Sequence, residues 1–133
     1  MNVNQDALLE AAHRARANAY APYSAFRVGC ALLASSGRVY TGCNVENASF
    51  GMTICAERVA LGAAITAGER SFDALLLVSD AREPVAPCGA CRQVLAEFAP
   101  TAQVTSVADD GRVQSWRVDE LLPDRFELPR GSA

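Results

Sequence analysis

Residues 72–79, Phe-Asp-Ala-Leu-Leu-Leu-Val-Ser, restrict the fold more than any other stretch of the chain. The run is almost continuously apolar, which suits a central strand covered on both faces. Covering two faces takes helices, and the flanking segments supply them. Residues 55–67 carry apolar side chains at 59, 60, 63 and 64 and predict a buried helix ending near Gly68. Residues 88–98 return to helical spacing, with Pro100 beyond them. Leu8, Leu9, Ala12, Ala15 and Ala19 predict an amphipathic first helix over residues 5–20, ended by Ala21-Pro22-Tyr23-Ser24 because proline disfavours helix in the residue before it. Strands are expected at 26–34 and 39–44, and the short Ser35-Ser36-Gly37-Arg38 link makes them an antiparallel hairpin. Residues 45–54 read as a loop. Residues 104–108 and 113–116 flank Asp109-Asp110-Gly111-Arg112, a link too short for a parallel crossover, so these last two strands must be antiparallel. Residues 119–122 form a short helix stopped by Pro123. Helices alternating with apolar strands predict an α/β chain with a mixed sheet sandwiched by helices.

A length of 133 residues supports one domain over 1–133, with a core of about residues 5–126. The polar tail at 127–133 is expected to fray. Half of the residues are hydrophobic, too many for a disordered chain. Fifteen acids against twelve bases give a net charge of -3, which disfavours a nucleic-acid polymer as partner but not a small ligand. Lysine is absent, and all twelve bases are arginine. Apolar runs fall far short of a membrane span, and the N-terminal residues show no basic region followed by an apolar one. A cytoplasmic protein is expected. An odd number of cysteines (30, 43, 55, 88 and 91) then argues against a disulfide framework and leaves reduced thiols, metal ligands or a nucleophile.

Three of those cysteines stand where loops meet predicted helices. Cys55-Ala-Glu57 opens one helix, and Pro87-Cys88-Gly-Ala-Cys91 opens the next. Helix starts offer free N–H groups and partial positive charge, which favour thiolate, the form that binds zinc. Three sulfurs could hold one metal with a fourth position open. Taken singly, each residue has a plainer reading. The C-x-x-C could be a redox dithiol or half of a structural zinc site completed by Cys30, Cys43 or His13. Cys55 could be a core cysteine, Glu57 a surface carboxylate, His13 a surface residue, and Cys30 and Cys43 small buried hydrophobes. A thiol, an acid two residues later and P-C-x-x-C on the following helix together match the zinc nucleobase-deaminase pattern in its three-cysteine form.

On these residues the chain resembles the short, homotetrameric cytidine deaminases that act on free nucleosides. The resemblance runs from about residue 19 to 126. It is carried by Tyr20-Ala-Pro-Tyr-Ser-Ala-Phe26, Gly42-Cys-Asn-Val-Glu-Asn-Ala48, Cys55-Ala-Glu-Arg58, Pro87-Cys-Gly-Ala-Cys-Arg-Gln93 and Leu121-Leu-Pro-Asp-Arg-Phe126. It implies a three-layer α/β/α sandwich on a mixed five-stranded sheet. It implies one Zn2+ per chain on Cys55, Cys88 and Cys91, with Glu57 as proton shuttle and not ligand. Asn44 and Glu46 would bond the ribose hydroxyls, Phe26 and Phe50 would line the nucleoside pocket, and the Ala56 backbone would contact the pyrimidine. Phe126 would reach a neighbouring subunit's site. The reaction implied is hydrolytic deamination of cytidine and 2'-deoxycytidine to uridine and 2'-deoxyuridine, with release of ammonia, as in pyrimidine salvage. Cys30 stands where the family often has alanine, and Gly51-Met52 varies a loop of mixed sequence.

Three thiolates on one zinc leave a formal charge of -1, which weakens its Lewis acidity. Arg58 and Arg92 each follow a site residue and could donate to the thiolates. The resemblance favours Arg58, while Arg92 serves equally well as a surface or interface arginine. Three other readings compete. A polynucleotide deaminase is opposed by the acidic balance and by the antiparallel last strand pair. Deaminases of nucleoside-like antibiotics such as blasticidin S lack the Asn-Val-Glu-Asn segment present at 44–47. A structural-zinc interaction module would hold metal without turnover.

Overall fold

The computed structural model describes residues 3–131. Helix α1 (Val3–Arg16) precedes the hairpin β1 (Val28–Ala34) and β2 (Val39–Cys43). A single 3-10 turn, Phe50–Met52, interrupts the loop that leads to α2 (Ala56–Thr66). Strand β3 (Phe72–Ser79), helix α3 (Gly89–Phe98), strands β4 (Gln103–Val107) and β5 (Val113–Arg117) and a final turn of helix, α4 (Val118–Leu121), complete the order. The strands form one mixed sheet in the order β2-β1-β3-β4-β5. Strands β3 and β4 are parallel, joined through α3, and the other three pairings are antiparallel. The expected antiparallel pairing of the last two strands is therefore present, and β3 is the central strand.

The sheet's two faces are covered by different helices. Leu76 and Val78 of β3 pack with Leu8, Ala11 and Ala12 of α1 on one face. Leu75 and Leu77 pack with Ala60, Leu61 and Ala64 of α2 and with Leu95 and Ala96 of α3 on the other. Burying each such leucine contributes about 1.5–3 kcal/mol, so the strand holds both helical layers on the sheet. Two glycines allow unusually close packing. A side chain at Gly29 would lie 2.0 Å from the Ala12 carbonyl of α1, and one at Gly42 would lie 2.5 Å from both the Ala56 carbonyl and the Ala60 nitrogen of α2.

The end of β2, the start of β1 and the end of β3 lie at one edge of the sheet, since Gly29 pairs with Cys43 and Val28 with Ser79. Helices α2 and α3 both begin after chain has left that edge. Parallel α/β layers place ligands at such strand ends.

Several expected boundaries shift for tertiary reasons. Helix α1 stops at Arg16 rather than continuing to residue 20, because the Tyr20 N–H is taken by the Asn44 carbonyl at 3.0 Å. Strand β1 begins at Val28 rather than 26, because the Asn44 side chain bonds the Phe26 carbonyl and the Val28 N–H. The loop at 45–54 is tied by bridges from Val45 to Tyr20 and Ile54. Of the tail expected to fray, residues 132 and 133 lie outside the described residues. Residues 127–131 carry no regular structure, but Arg130 reaches Glu97 at 3.5 Å and the Phe126 carbonyl accepts from Gln93 at 3.0 Å. No helix among the described residues is long and apolar enough to cross a membrane.

Candidate active site

Cys55 and Cys88 are the N-cap residues of α2 and α3, both in extended backbone. Cys91 lies three residues into the second of these helices, on the same side as Cys88 because residues three apart share a helix face. The packing of both helices on one sheet face therefore brings the three sulfurs together, all within 4.8 Å of one another. The Cys55 and Cys88 sulfurs are 3.8 Å apart. A tetrahedral site with Zn–S of about 2.3 Å separates its sulfurs by about 3.8 Å, so the spacing fits zinc. Among the described residues, neither Cys30, fully buried in the core, nor Cys43, in β2, joins this cluster, and His13 is exposed on α1. The donor set is three sulfurs with room for one further ligand.

The negative charge of the cluster gathers on Cys55. The Cys91 thiol, the Arg58 guanidinium and the Cys88 thiol donate to Cys55, which lowers its pKa to about 5. Cys91 is correspondingly held protonated by its bond to Cys55 and by burial. Arg58 donates to the Cys55 sulfur at 3.5 Å and to the Thr53 carbonyl at 3.4 Å, and its protonation is strengthened chiefly by Cys55. Its Nε is buried without a hydrogen-bond partner among the described residues. A cation this poorly satisfied on protein oxygens suits a neighbour that becomes fully anionic. Arg92, the other arginine expected near the thiolates, instead donates to the Pro87 carbonyl at 2.8 Å and the Leu121 carbonyl at 3.1 Å. It clamps the approach to α3 onto α4.

Glu57 follows Cys55 by two residues in the first turn of α2 and is only 6% exposed. Burial pushes its carboxyl up to about 7, opposed in part by a bond to its own backbone N–H. A carboxyl poised there can both accept and return a proton near neutral pH. It faces a cavity of about 290 Å³ lined by Phe26, Val28, Asn44, Thr53, Cys55, Ala56, Leu77, Val85 and Ala86. A second cavity of about 340 Å³ adjoins it at Thr53 and is lined by Tyr23, Ser24, Glu46 and Phe50.

The expected substrate residues divide between these two spaces. Phe26, Asn44 and Ala56 line the inner one, while Glu46 and Phe50 line the outer one. Asn44 uses its oxygen on the Val28 N–H and one N–H on the Phe26 carbonyl, leaving one N–H and one lone pair. The Glu46 carboxylate accepts from the Tyr23 and Ser24 N–H groups and from the Ser24 hydroxyl, and this hydroxyl is the main cause of its lowered pKa. Phe50 is 74% exposed and meets the Tyr23 ring edge-on at 5.9 Å. Phe126 is 67% exposed and reaches neither cavity within its own chain. Tyr23, Ser24, Thr53, Val85 and Ala86 were not anticipated as lining residues. Ser24 and Tyr23 sit in a turn that ends the first helix and belongs to the Tyr20–Phe26 motif, where only Phe26 was given a role, and Val85-Ala86 lies between a strand and the C-x-x-C with no pattern of its own.

Comparison with known proteins agrees with this geometry. Residues 2–107 match the family model described as the cytidine and deoxycytidylate deaminase zinc-binding region. The chain is 48% identical over 120 residues to the cytidine deaminase of Sporosarcina psychrophila, covering 90% of this chain and 88% of that protein. It is 46% identical over 125 residues to the cytidine deaminase of Halalkalibacterium halodurans, covering 93% and 95%. The crystal structure of cytidine deaminase from Burkholderia pseudomallei superposes with a TM-score of 0.88 at 50% identity, covering 95% of this chain and all of that one.

Proposed function

Because this chain belongs to the zinc-binding cytidine and deoxycytidylate deaminase family, we propose that it deaminates the free nucleosides cytidine and 2'-deoxycytidine. The balanced reaction is nucleoside plus water giving uridine or 2'-deoxyuridine plus ammonia. The observation that carries this reading is a three-sulfur cluster beside a buried carboxyl that faces a cavity with room for a nucleobase. Zinc is the cofactor of the family and would be held by Cys55, Cys88 and Cys91. When bound, it supplies the Lewis acidity that makes water a nucleophile at neutral pH.

The chain's own residues do the rest. Glu57 takes a proton from the attacking water, delivers it to N3 of the base, and later passes a proton to the departing amine. Acceptance and donation alternate, so one carboxyl serves both. Leu77, Val85, Ala86 and Phe26 keep the reacting end apolar, which strengthens every polar interaction within it. Arg58 withdraws charge from Cys55. Asn44, from the inner space, and Glu46, from the outer one, hold the sugar where the two meet, with Phe50 against it.

Free nucleosides are favoured over nucleotides by that outer space. Its lining contains a carboxylate and no arginine, so a phosphate would be repelled. A homotetramer completes the reading. Phe50, at the open end, and Phe126, away from both cavities of its own chain, are large and exposed, and neighbouring chains would bury them. The five unpaired cysteines suit the reducing cytoplasm. The test is ultraviolet monitoring of cytidine, deoxycytidine, cytosine and CMP with zinc-loaded protein. Cytidine and deoxycytidine should turn over, with cytosine and CMP poor. Comparable efficiency on cytosine or CMP would remove the nucleoside assignment.

A further inference from the structure

Ser24 lies outside the metal and proton machinery, yet its hydroxyl is the most heavily committed one near the outer cavity. It donates to Glu46 Oε2 and accepts the Phe26 N–H at 3.0 Å. The backbone N–H groups of Tyr23 and Ser24 both donate to Glu46 Oε1, at 3.0 and 3.2 Å. Ala25 follows with a φ of 58°, the one non-glycine residue in the left-handed region among the described residues, and its N–H bonds the Ala21 carbonyl at 2.9 Å. That reversal points two consecutive N–H groups at one carboxylate and returns Phe26 to the inner cavity wall. Strained backbone of this kind persists where the surroundings over-determine it.

We propose that Ser24 is a positioning residue for substrate specificity, locking the Glu46 carboxylate in the orientation that receives a sugar hydroxyl. This rests on the reading of Glu46 as the ribose contact. A carboxylate oxygen has two acceptor sites. Oε1 has both filled by the turn, and Oε2 has one filled by Ser24. One acceptor site on Oε2 is left for the cavity. The Ser24 proton is already spent on Glu46, so the pair presents acceptor capacity alone and takes a hydroxyl donor. Without the Ser24 hydroxyl, Oε2 loses its anchor and the carboxylate is free to rotate about its bond to the N–H pair. The three sulfurs and Glu57, held by the starts of α2 and α3, do not depend on this turn.

The experiment measures Ser24→Ala and Ser24→Thr with cytidine and with 2',3'-dideoxycytidine, the latter as substrate or competitive inhibitor, together with zinc content. Ser24→Ala should raise the KM for cytidine about five- to tenfold, the net worth of one hydrogen bond. Its kcat should stay within about twofold, the pattern of lost uniform binding. Its effect on dideoxycytidine should be within about twofold, and Ser24→Thr should restore cytidine binding. Equal losses on both nucleosides, or a fall in kcat matching the rise in KM, would overturn the positioning role. If the unaltered enzyme binds the two nucleosides equally well, the ribose reading of Glu46 fails first, which is a different result.

Discussion

Gly42→Ala tests whether the sheet surface sets the metal geometry. A methyl group there would lie 2.5 Å from the Ala56 carbonyl and the Ala60 nitrogen, both backbone atoms of α2. Reaching ordinary contact requires α2 to retreat by about 1 Å, since neither atom can rotate away. Cys55 caps that helix, and zinc–ligand distances tolerate only about 0.2 Å. The displacement is therefore several times what the site can absorb. Overpacking of this kind costs about 1–3 kcal/mol, offset by about 0.4–1 kcal/mol from the stiffer unfolded chain. Gly29→Ala is the control. Its methyl group would meet the Ala12 carbonyl of α1 at 2.0 Å, a tighter clash on the opposite sheet face, where no metal ligand sits. Both variants should melt at lower temperature. Only Gly42→Ala should lose zinc affinity, by at least the ~10–100-fold that follows loss of support for a ligand. Competition with a chromophoric chelator measures this directly. Gly42→Ala binding zinc as tightly as the unaltered protein would refute the argument, as would an equal zinc loss in Gly29→Ala.

Glu57→Gln should keep zinc and nucleoside binding but lose about 10²–10⁴ in kcat, because an amide cannot shuttle protons; near-normal turnover would remove Glu57 from the mechanism. Chelation should lower the melting temperature, and zinc restored at a hundredfold its dissociation constant should return about 2.7 kcal/mol; unchanged melting would mean that the three cysteines do not hold metal in the folded state. Phe126→Ala should raise the nucleoside KM by about 2–10-fold, the worth of a ring contact, with zinc content unchanged. Sedimentation showing a fully active monomer would end the shared-site idea.

What the sequence made legible follows from how local each signal is. Strand β3 has the expected ends because an apolar run bounded by Arg70-Ser71 and Asp80 is a short-range pattern. The metal cluster was legible because helix starts and an i, i+3 spacing are also local. The ends of α1 and β1 were not. Asn44 decides both, through its backbone carbonyl on Tyr20 and its side chain on Phe26 and Val28, and no window of sequence around residue 20 or 26 contains it. Ser24 was hidden for a related reason. A serine two residues after a proline is ordinary turn composition, and its contact with Glu46 lies 22 residues away. Adjacency to Cys91 left Arg92 open between a partner for the thiolates and a surface or interface arginine, and its side chain runs to the Pro87 and Leu121 carbonyls.

The two ends of the cavity are built in different ways, and this bears on assembly. The reacting end is made by the first turns of two helices packed on a buried sheet face, with Ala56, Glu57 and Cys91 all buried within one chain. Groups that must hold a metal and move a proton need such rigid supports. The outer end is made by a turn and a loop whose aromatic residues, Tyr23 and Phe50, remain more than half exposed. An open outer end cannot exclude water by itself, and exclusion strengthens the polar interactions of the buried carboxyl and the sulfur cluster. A second chain that covered Phe50 would close the site and gain apolar burial in the same contact. Assembly and catalysis would then share one surface, so a variant that weakens the oligomer should lose nucleoside binding before it loses zinc.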